Sequence, residues 1–160
     1  MFHYQDLSGN EVTIYFQKQS GEQDDVLILP VFEDSWLFTK HSVRGIEFPG
    51  GKGEKGESNI ETAKRELYEE TGGVADEWTF VADYCVKSAG RSFTKRVFKT
   101  NVLRIDLRAD YLETEGPLLF KGELLSEIQK EAFSFFMRDE GMQQIVRAAF
   151  FIDSTRQNGR

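Results

Sequence analysis

Apolar positions recur every second residue in some stretches of this chain and every third or fourth in others. Val12 to Phe16 alternates like a short strand. Val26 to Phe32 is an almost unbroken apolar run, which predicts a buried strand, with Pro30 arguing for an edge or a bulge. Glu33, Asp34 and Ser35 form a turn into Trp36 to Lys40, so a hairpin is expected. Residues 42–57 are rich in glycine and charge and predict a loop. Trp78 to Lys87 and Thr94 to Leu107 read as two long strands joined around Ala89-Gly90-Arg91-Ser92. Glu113 to Pro117 reads as a loop because of its Gly-Pro pair. Met142, Ile145, Val146, Ala149 and Phe150 follow helical spacing, so a helix is expected from about Asp139 to Ile152, followed by a frayed tail, 154–160.

Between these blocks lies the best-defined helix. Ser58 is placed as its N-cap, with Glu61 at the third helical position, a capping box. Ile60, Ala63, Leu67 and Thr71 make the expected inner stripe, and Gly72 or Gly73 the C-terminal cap. Strands, helix, strands, helix predicts an α/β fold, one mixed sheet with a helix on each face. No repeat or linker divides residues 1–160, so one domain is expected.

The polar face of that helix breaks local rules. Glu66, Glu69 and Glu70 fall at i, i+3 and i+4 and share one face. At an effective dielectric near 20, two charges about 6 Å apart cost roughly 2–3 kcal/mol. Arg65 can partner Glu69, but Glu66 and Glu70 have no Lys or Arg three or four residues away. They also lie near the negative end of the helix dipole. A divalent cation is the simplest compensation, and hard carboxylate oxygens suit Mg²⁺, with Mn²⁺ as substitute.

The full spacing is G-x5-E-x7-R-E-U-x-E-E-x-G-U, with U a bulky aliphatic residue. Gly51, Glu57, Arg65, Glu66, Leu67, Glu69, Glu70 and Gly72 fill it, and Gly73 departs at the last position. Seven fixed residues match a random window with a probability of roughly 10⁻⁸. The pattern resembles the Nudix box. Gly51-x-Gly53-x-x-Gly56 also matches a dinucleotide fingerprint, but Pro49-Gly50 breaks the strand that fingerprint requires. No Ser or Thr follows Lys52, so there is no Walker A loop.

Further stretches, RGIEFPGGK, ADYLETEGPLLF and FSFFMRDEG, resemble the YtkD-type bacterial nucleoside triphosphatases, a MutT-like branch of Nudix hydrolases. The resemblance implies an α/β/α sandwich with a mixed β-sheet between helices. It also implies cleavage of purine nucleoside triphosphates, 8-oxo-dGTP among them, to the monophosphate and pyrophosphate, in nucleotide-pool sanitation and so DNA repair. Some members of the branch trim RNA 5′ ends. ADP-ribose, dinucleoside polyphosphates and a non-catalytic nucleotide sensor are the alternatives. The resemblance places metal on Glu66, Glu69, Glu70 and the Gly50 carbonyl. Glu57 and Arg65 then become orienting residues, and Glu66 or a distant carboxylate the proton acceptor. Glu113, ahead of Glu115, is the first choice for that distant carboxylate. Gly51 and Lys52 belong to the phosphate-facing loop, and Arg44 is a candidate for a terminal phosphate. A lone His41 reads as structural or exposed, and Phe133, Phe135 and Phe136 read as core ahead of a base-stacking face.

Composition narrows the partners. A net charge of -7 leaves no basic face for duplex DNA, so a polyanionic substrate must be met by local cations and metal. The single cysteine, Cys85, permits no internal disulfide, reads as a buried hydrophobe and fits a reducing cytosol. No apolar run suggests a signal peptide or a membrane span. Oligomeric state is not set by the sequence.

Overall fold

The structure, a computed structural model, describes the backbone of residues 1–158 and the side chains of residues 1–152. In chain order the elements are β1 (Phe2–Gln5), β2 (Glu11–Tyr15), β3 (Asp25–Phe32), β4 (Ser35–His41), β5 (Gly45–Glu47), β6 (Gly50–Lys52), α1 (Asn59–Thr71), β7 (Gly73–Val74), β8 (Trp78–Lys87), β9 (Ser92–Val102), β10 (Arg104–Ile105), β11 (Thr114–Phe120), α2 (Leu124–Glu127) and α3 (Glu140–Asn158). The main sheet runs β1-β2-β8-β9-β3-β4-β11, with β5 on β4 and β6 on β3. It is mixed, because β3 and β9 are parallel whereas their other neighbours are antiparallel.

Side chains on β3 divide the core in two. Val26 and Ile28 join Leu37, Phe98, Ala63 and Leu67 beneath α1. Leu27 and Leu29 point the other way, to Val97, Met142, Ile145 and Val146 beneath α3. Period-two alternation therefore places a helix on each face of the sheet, as the sequence predicts.

Pro30 needs a different explanation from the expected edge. β3 lies inside the sheet, pairing with β6 over Asp25–Leu27 and with β4 only from Val31. The Ile28 N–H donates to the Pro49 carbonyl, so two residues on, Pro30 turns its N–H-less nitrogen to the same side, at the gap between those partners. Other corrections are local. Residues 42–57 hold β5 and β6, and β11 covers most of Glu113 to Pro117. The second long strand stops at Val102, and β1 and α2 were not expected. The last helix runs on to Asn158, so its backbone covers most of the expected frayed tail, while 159–160 lie outside the described residues. Ile60 is 42% exposed, and Asn59 takes the buried place in the first turn of α1. Its side-chain amide bonds the Gln23 carbonyl and accepts from the Gln23 N–H and from Arg96, which polar Asn does and Ile cannot. Among the described residues no helix is long and apolar enough to cross a membrane.

Candidate active site

Local sequence fixes both ends of α1. Ser58 is extended, and its hydroxyl accepts from the Glu61 N–H at 3.1 Å. The exit is Gly72, at φ 76°, whose N–H reaches the Tyr68 carbonyl. A Cβ there would run into the Asp106 carbonyl oxygen, so only glycine fits. Thr39 and Thr114 both donate to the Glu70 backbone carbonyl, tying the helix end to β4 and β11.

One guanidinium organises the outer half of the carboxylate face. Arg65 grips Glu57 with two bonds, at 2.8 and 2.9 Å. It also donates to Glu66 at 2.8 Å, to Glu69 at 3.2 Å and to the Lys52 carbonyl at 3.0 Å. Glu66 is therefore not without a cation, as spacing alone suggested. The long arginine reaches its immediate neighbour by curling along the helix. The bonds from Arg65 hold the Glu57 carboxyl down at about 2.

The inner half is different. Burial, then the Glu66 carboxyl beside it, pushes the Glu70 pKa up to about 9. Burial also raises Glu66, against the pull of its bonds to Glu70 and Arg65. Both carboxyls thus resist ionisation, Glu70 more than Glu66. The Gly50 N–H donates to Glu70 at 3.3 Å, and Gly50 and Leu27 face each other without exchanging ladder bonds. In an extended strand a residue's N–H and C=O point the same way, so the Gly50 carbonyl also leaves β3 on the α1 side. A Cβ on Gly51 would fall 2.6 Å from the Glu66 carboxyl.

This donor set suits a hard divalent cation: two adjoining, part-buried carboxyls whose charge is costly when unpaired, and a glycine leaving room beside them. In the present arrangement no three acidic, His or Cys side chains among the described residues converge as a metal cage. Glu69 instead leans on Arg65, and would have to exchange that bond for metal.

The remaining candidates are placed as follows. Arg44 forms a two-pronged pair with Glu47, at 2.8 and 3.2 Å, and lies 5.7 Å from the Phe136 ring. His41 is structural: its Nδ1 accepts from the Val43 and Arg44 N–H groups. Glu113 is exposed just before β11, where its carbonyl accepts from Ser42. Glu115 pairs with Lys40 on the surface. Lys52 is exposed, and only its backbone is engaged by Arg65. Phe133 is buried, whereas Phe135 and Phe136 are 40% and 51% exposed and pack ring to ring at 4.1 Å. Cys85 is half-buried.

Gly50 and Gly51 also border a cavity of about 380 Å³ on the opposite, α3 side of the sheet. Arg44, Glu47 and Phe136 reach it, as do Asp139, within the FSFFMRDEG stretch, and Lys95 and Tyr4, two residues that no motif marks. Alternation on β9 does put Lys95 on the face of Val97, but only the fold shows that a cavity lies there.

The sequence model of the NUDIX domain matches residues 21–140, more than half of the chain. The chain belongs to the Nudix family. It is 35% identical over 142 residues to a Bacillus subtilis (strain 168) protein named "Putative 8-oxo-dGTP diphosphatase YtkD", covering 87% of this chain and 89% of that one. A mutant form of the Bacillus subtilis pyrophosphohydrolase BsRppH superposes with a TM-score of 0.88 at 31% identity, over 93% of this Nudix chain and 96% of the other. A NUDIX hydrolase from Nitrosomonas europaea superposes at 0.65 and 22% identity, over 81% and 89%, and supports the fold alone. Family, fold and hydrolase class thus agree with the expectation from the box.

Proposed function

We propose that this Nudix hydrolase cleaves purine nucleoside triphosphates, oxidised ones such as 8-oxo-dGTP among them, to the nucleoside monophosphate and pyrophosphate. One observation carries the reading: the Gly50–Gly51 strand has the Glu66–Glu70 pair on one side and a base-sized cavity on the other. In this reading triphosphate and base occupy adjoining places. The name of the 35%-identical relative supports the same substrate class.

Glu66, Glu69, Glu70 and the Gly50 carbonyl would hold Mg²⁺ or Mn²⁺, which neutralises phosphate charge and acidifies an attacking water. Arg65 orients Glu66 and Glu69 and, through Glu57 and the Lys52 carbonyl, fixes the loop beside them. The open face of Gly51 lets the phosphate chain approach Glu66. Arg44 turns from Glu47 to a terminal phosphate, and Glu113 or Glu66 accepts the proton.

A second reading, a triphosphate on an RNA 5′ end, is favoured by the exposed Phe135–Phe136 plate, because Phe136 stands at the cavity and offers a stacking face for a following base. A panel of 8-oxo-dGTP, dGTP, a triphosphorylated oligoribonucleotide, ADP-ribose and a dinucleoside polyphosphate separates these readings. It is run with Mg²⁺ and with EDTA, with product analysis. Mg²⁺-dependent pyrophosphate release, highest kcat/KM on the free purine triphosphates, is expected. Faster turnover of ADP-ribose or of the RNA end overturns the substrate assignment.

A further inference from the structure

Helix ends fray, and Glu70 is the penultimate residue of α1, whereas Glu66 lies one turn further in. Gly72, at φ 76°, then turns the chain out of the helix, so no helical N–H reaches the Glu70 carbonyl. Neighbouring carbonyls at this end are served by backbone or by arginine. The Tyr68 carbonyl accepts from the Gly72 N–H and from Arg108, and the Gly72 carbonyl accepts from the Asp106 N–H. The Glu70 carbonyl is served by two hydroxyls instead, from Thr39 on β4 at 3.1 Å and from Thr114 on β11 at 3.3 Å.

These donors stand out from their surroundings. Thr39 is fully buried and follows Trp36, Leu37 and Phe38 on β4, where an unbonded hydroxyl would be costly. Each hydroxyl carries one proton and has a second acceptor in reach. Thr39 lies 3.4 Å from the Gly116 carbonyl, and Thr114 lies 3.2 Å from the Tyr111 carbonyl. Thr114 also directly follows Glu113, the carboxylate expected outside the box. One carbonyl is therefore the meeting point of the box helix, β4 and the start of β11. At the other end of the same residue, the Glu70 carboxyl accepts from the Gly50 N–H at 3.3 Å.

We propose that Thr39 and Thr114 are positioning residues for Glu70: their hydroxyls hold the end of α1 where the Glu70 carboxyl can share a divalent cation with Glu66. Neither threonine touches metal or substrate. A carboxylate on a fixed turn binds a cation without first giving up the freedom of a frayed one. This rests on the metal-dependent hydrolase reading and deepens it, by extending the support of the metal site to two residues outside the box.

The test is Mn²⁺ binding, followed by the EPR signal of free Mn²⁺, together with the Mg²⁺ concentration that gives half-maximal velocity on dGTP. Wild type is compared with Thr39→Val, Thr39→Ser, Thr114→Val and Thr100→Val, each checked by circular dichroism and Tm. Thr100 controls for the general cost of losing a buried hydroxyl, because it is also buried and donates to the Glu77 carbonyl at 2.6 Å. Thr39→Val should weaken Mn²⁺ binding and raise the half-activating Mg²⁺ concentration by about tenfold, as removal of a group that orients a metal ligand does. The half-buried Thr114→Val should do the same by about threefold. Thr39→Ser keeps the hydroxyl and should stay within about twofold of wild type. Thr100→Val should lower Tm and leave both metal readings unchanged. A Thr39→Val protein that loses Tm as Thr100→Val does, yet binds Mn²⁺ like wild type, would overturn the proposal. So would an equal loss of Mn²⁺ affinity in Thr100→Val, or a rise in KM for dGTP with metal affinity intact. If Thr39→Val does not fold, Thr114→Val decides in either direction. Wild-type protein that binds no Mn²⁺ and needs no metal would remove the metal-dependent reading itself, and the proposal with it, a result recognised without any variant.

Discussion

The two faces of the sheet are built to opposite ends. Beneath α1 the core is small and closed: Val26, Ile28, Leu37, Ala63 and Leu67 are fully buried, and both helix ends are capped and tied down. Beneath α3 the core is larger but hollow on one side, where Leu27, Met142 and Ile145 line open space. In the function proposed above, chemistry that needs carboxylates placed to fractions of an ångström uses the closed face, and recognition, which must admit and release a ligand, uses the hollow one. Gly50 and Gly51 lie at the boundary between them.

That contrast can be broken in several ways. The largest effect is expected at the inner carboxyls. Glu70→Gln and Glu66→Gln should each lower kcat by about a thousandfold, as loss of one strong electrostatic contact does. Both proteins should remain folded by circular dichroism. Near-wild-type turnover would remove this pair from the mechanism. Next come the two cores. Leu67→Ala, on the closed face, should destabilise the protein by about 3 kcal/mol in urea unfolding. Met142→Ala, on the hollow face, should cost less, about 2 kcal/mol, because it enlarges an existing space. Equal losses would mean that the faces do not differ in packing.

A smaller effect is expected at the boundary. Gly51→Ala puts a methyl on the Glu66 carboxyl and should cut kcat by about tenfold with little change in Tm. A change in KM alone would place Gly51 in binding and not in positioning.

The raised pKa of Glu70 gives a pH signature. The folded pKa of Glu70 is raised to about 9 from 4.5, so between those values the folded state holds a proton that the unfolded state has lost. Without metal, this contribution to stability is present in acid and is lost as pH rises through about 9. Tm with EDTA should therefore decline from about pH 5 to about pH 9 relative to Glu70→Gln. Parallel profiles for the two proteins would show that the Glu70 pKa is not raised. The smallest effect is expected outside the box. Glu113→Gln should lower kcat a few-fold more than it changes KM, with Glu115→Gln as an unchanged control. Identical kinetics in the two would exclude Glu113 from the reaction.

How much the sequence revealed also differed between the faces. The α1 side was largely legible, because caps, box and helical spacing are local. Ser58, Gly72, Ala63 and Leu67 stand where the pattern places them. Its errors came from reach: Arg65 bonds Glu66 in a direction that i+4 counting ignores, and Asn59 displaces Ile60 by serving a distant loop. The α3 side was legible only as a helix. Its cavity is assembled from β1, β2, β3, β8, β9 and the start of α3, and no window of sequence contains it. Three-residue strands such as β5 and β6 carry too few residues to show a period, and Gly-Pro in β11 mimics a turn.

Tyr4 lies in β1, next to His3, and forms part of the cavity wall through its bond to Asp139. This has a practical consequence at the bench. An affinity tag fused ahead of Met1 is only a few residues from that wall, and it can pull on β1 without touching the glutamates. Tagged and cleaved preparations could then agree in metal requirement and in products, yet differ in base preference. Specificity constants for this enzyme should be measured on protein from which the tag has been removed.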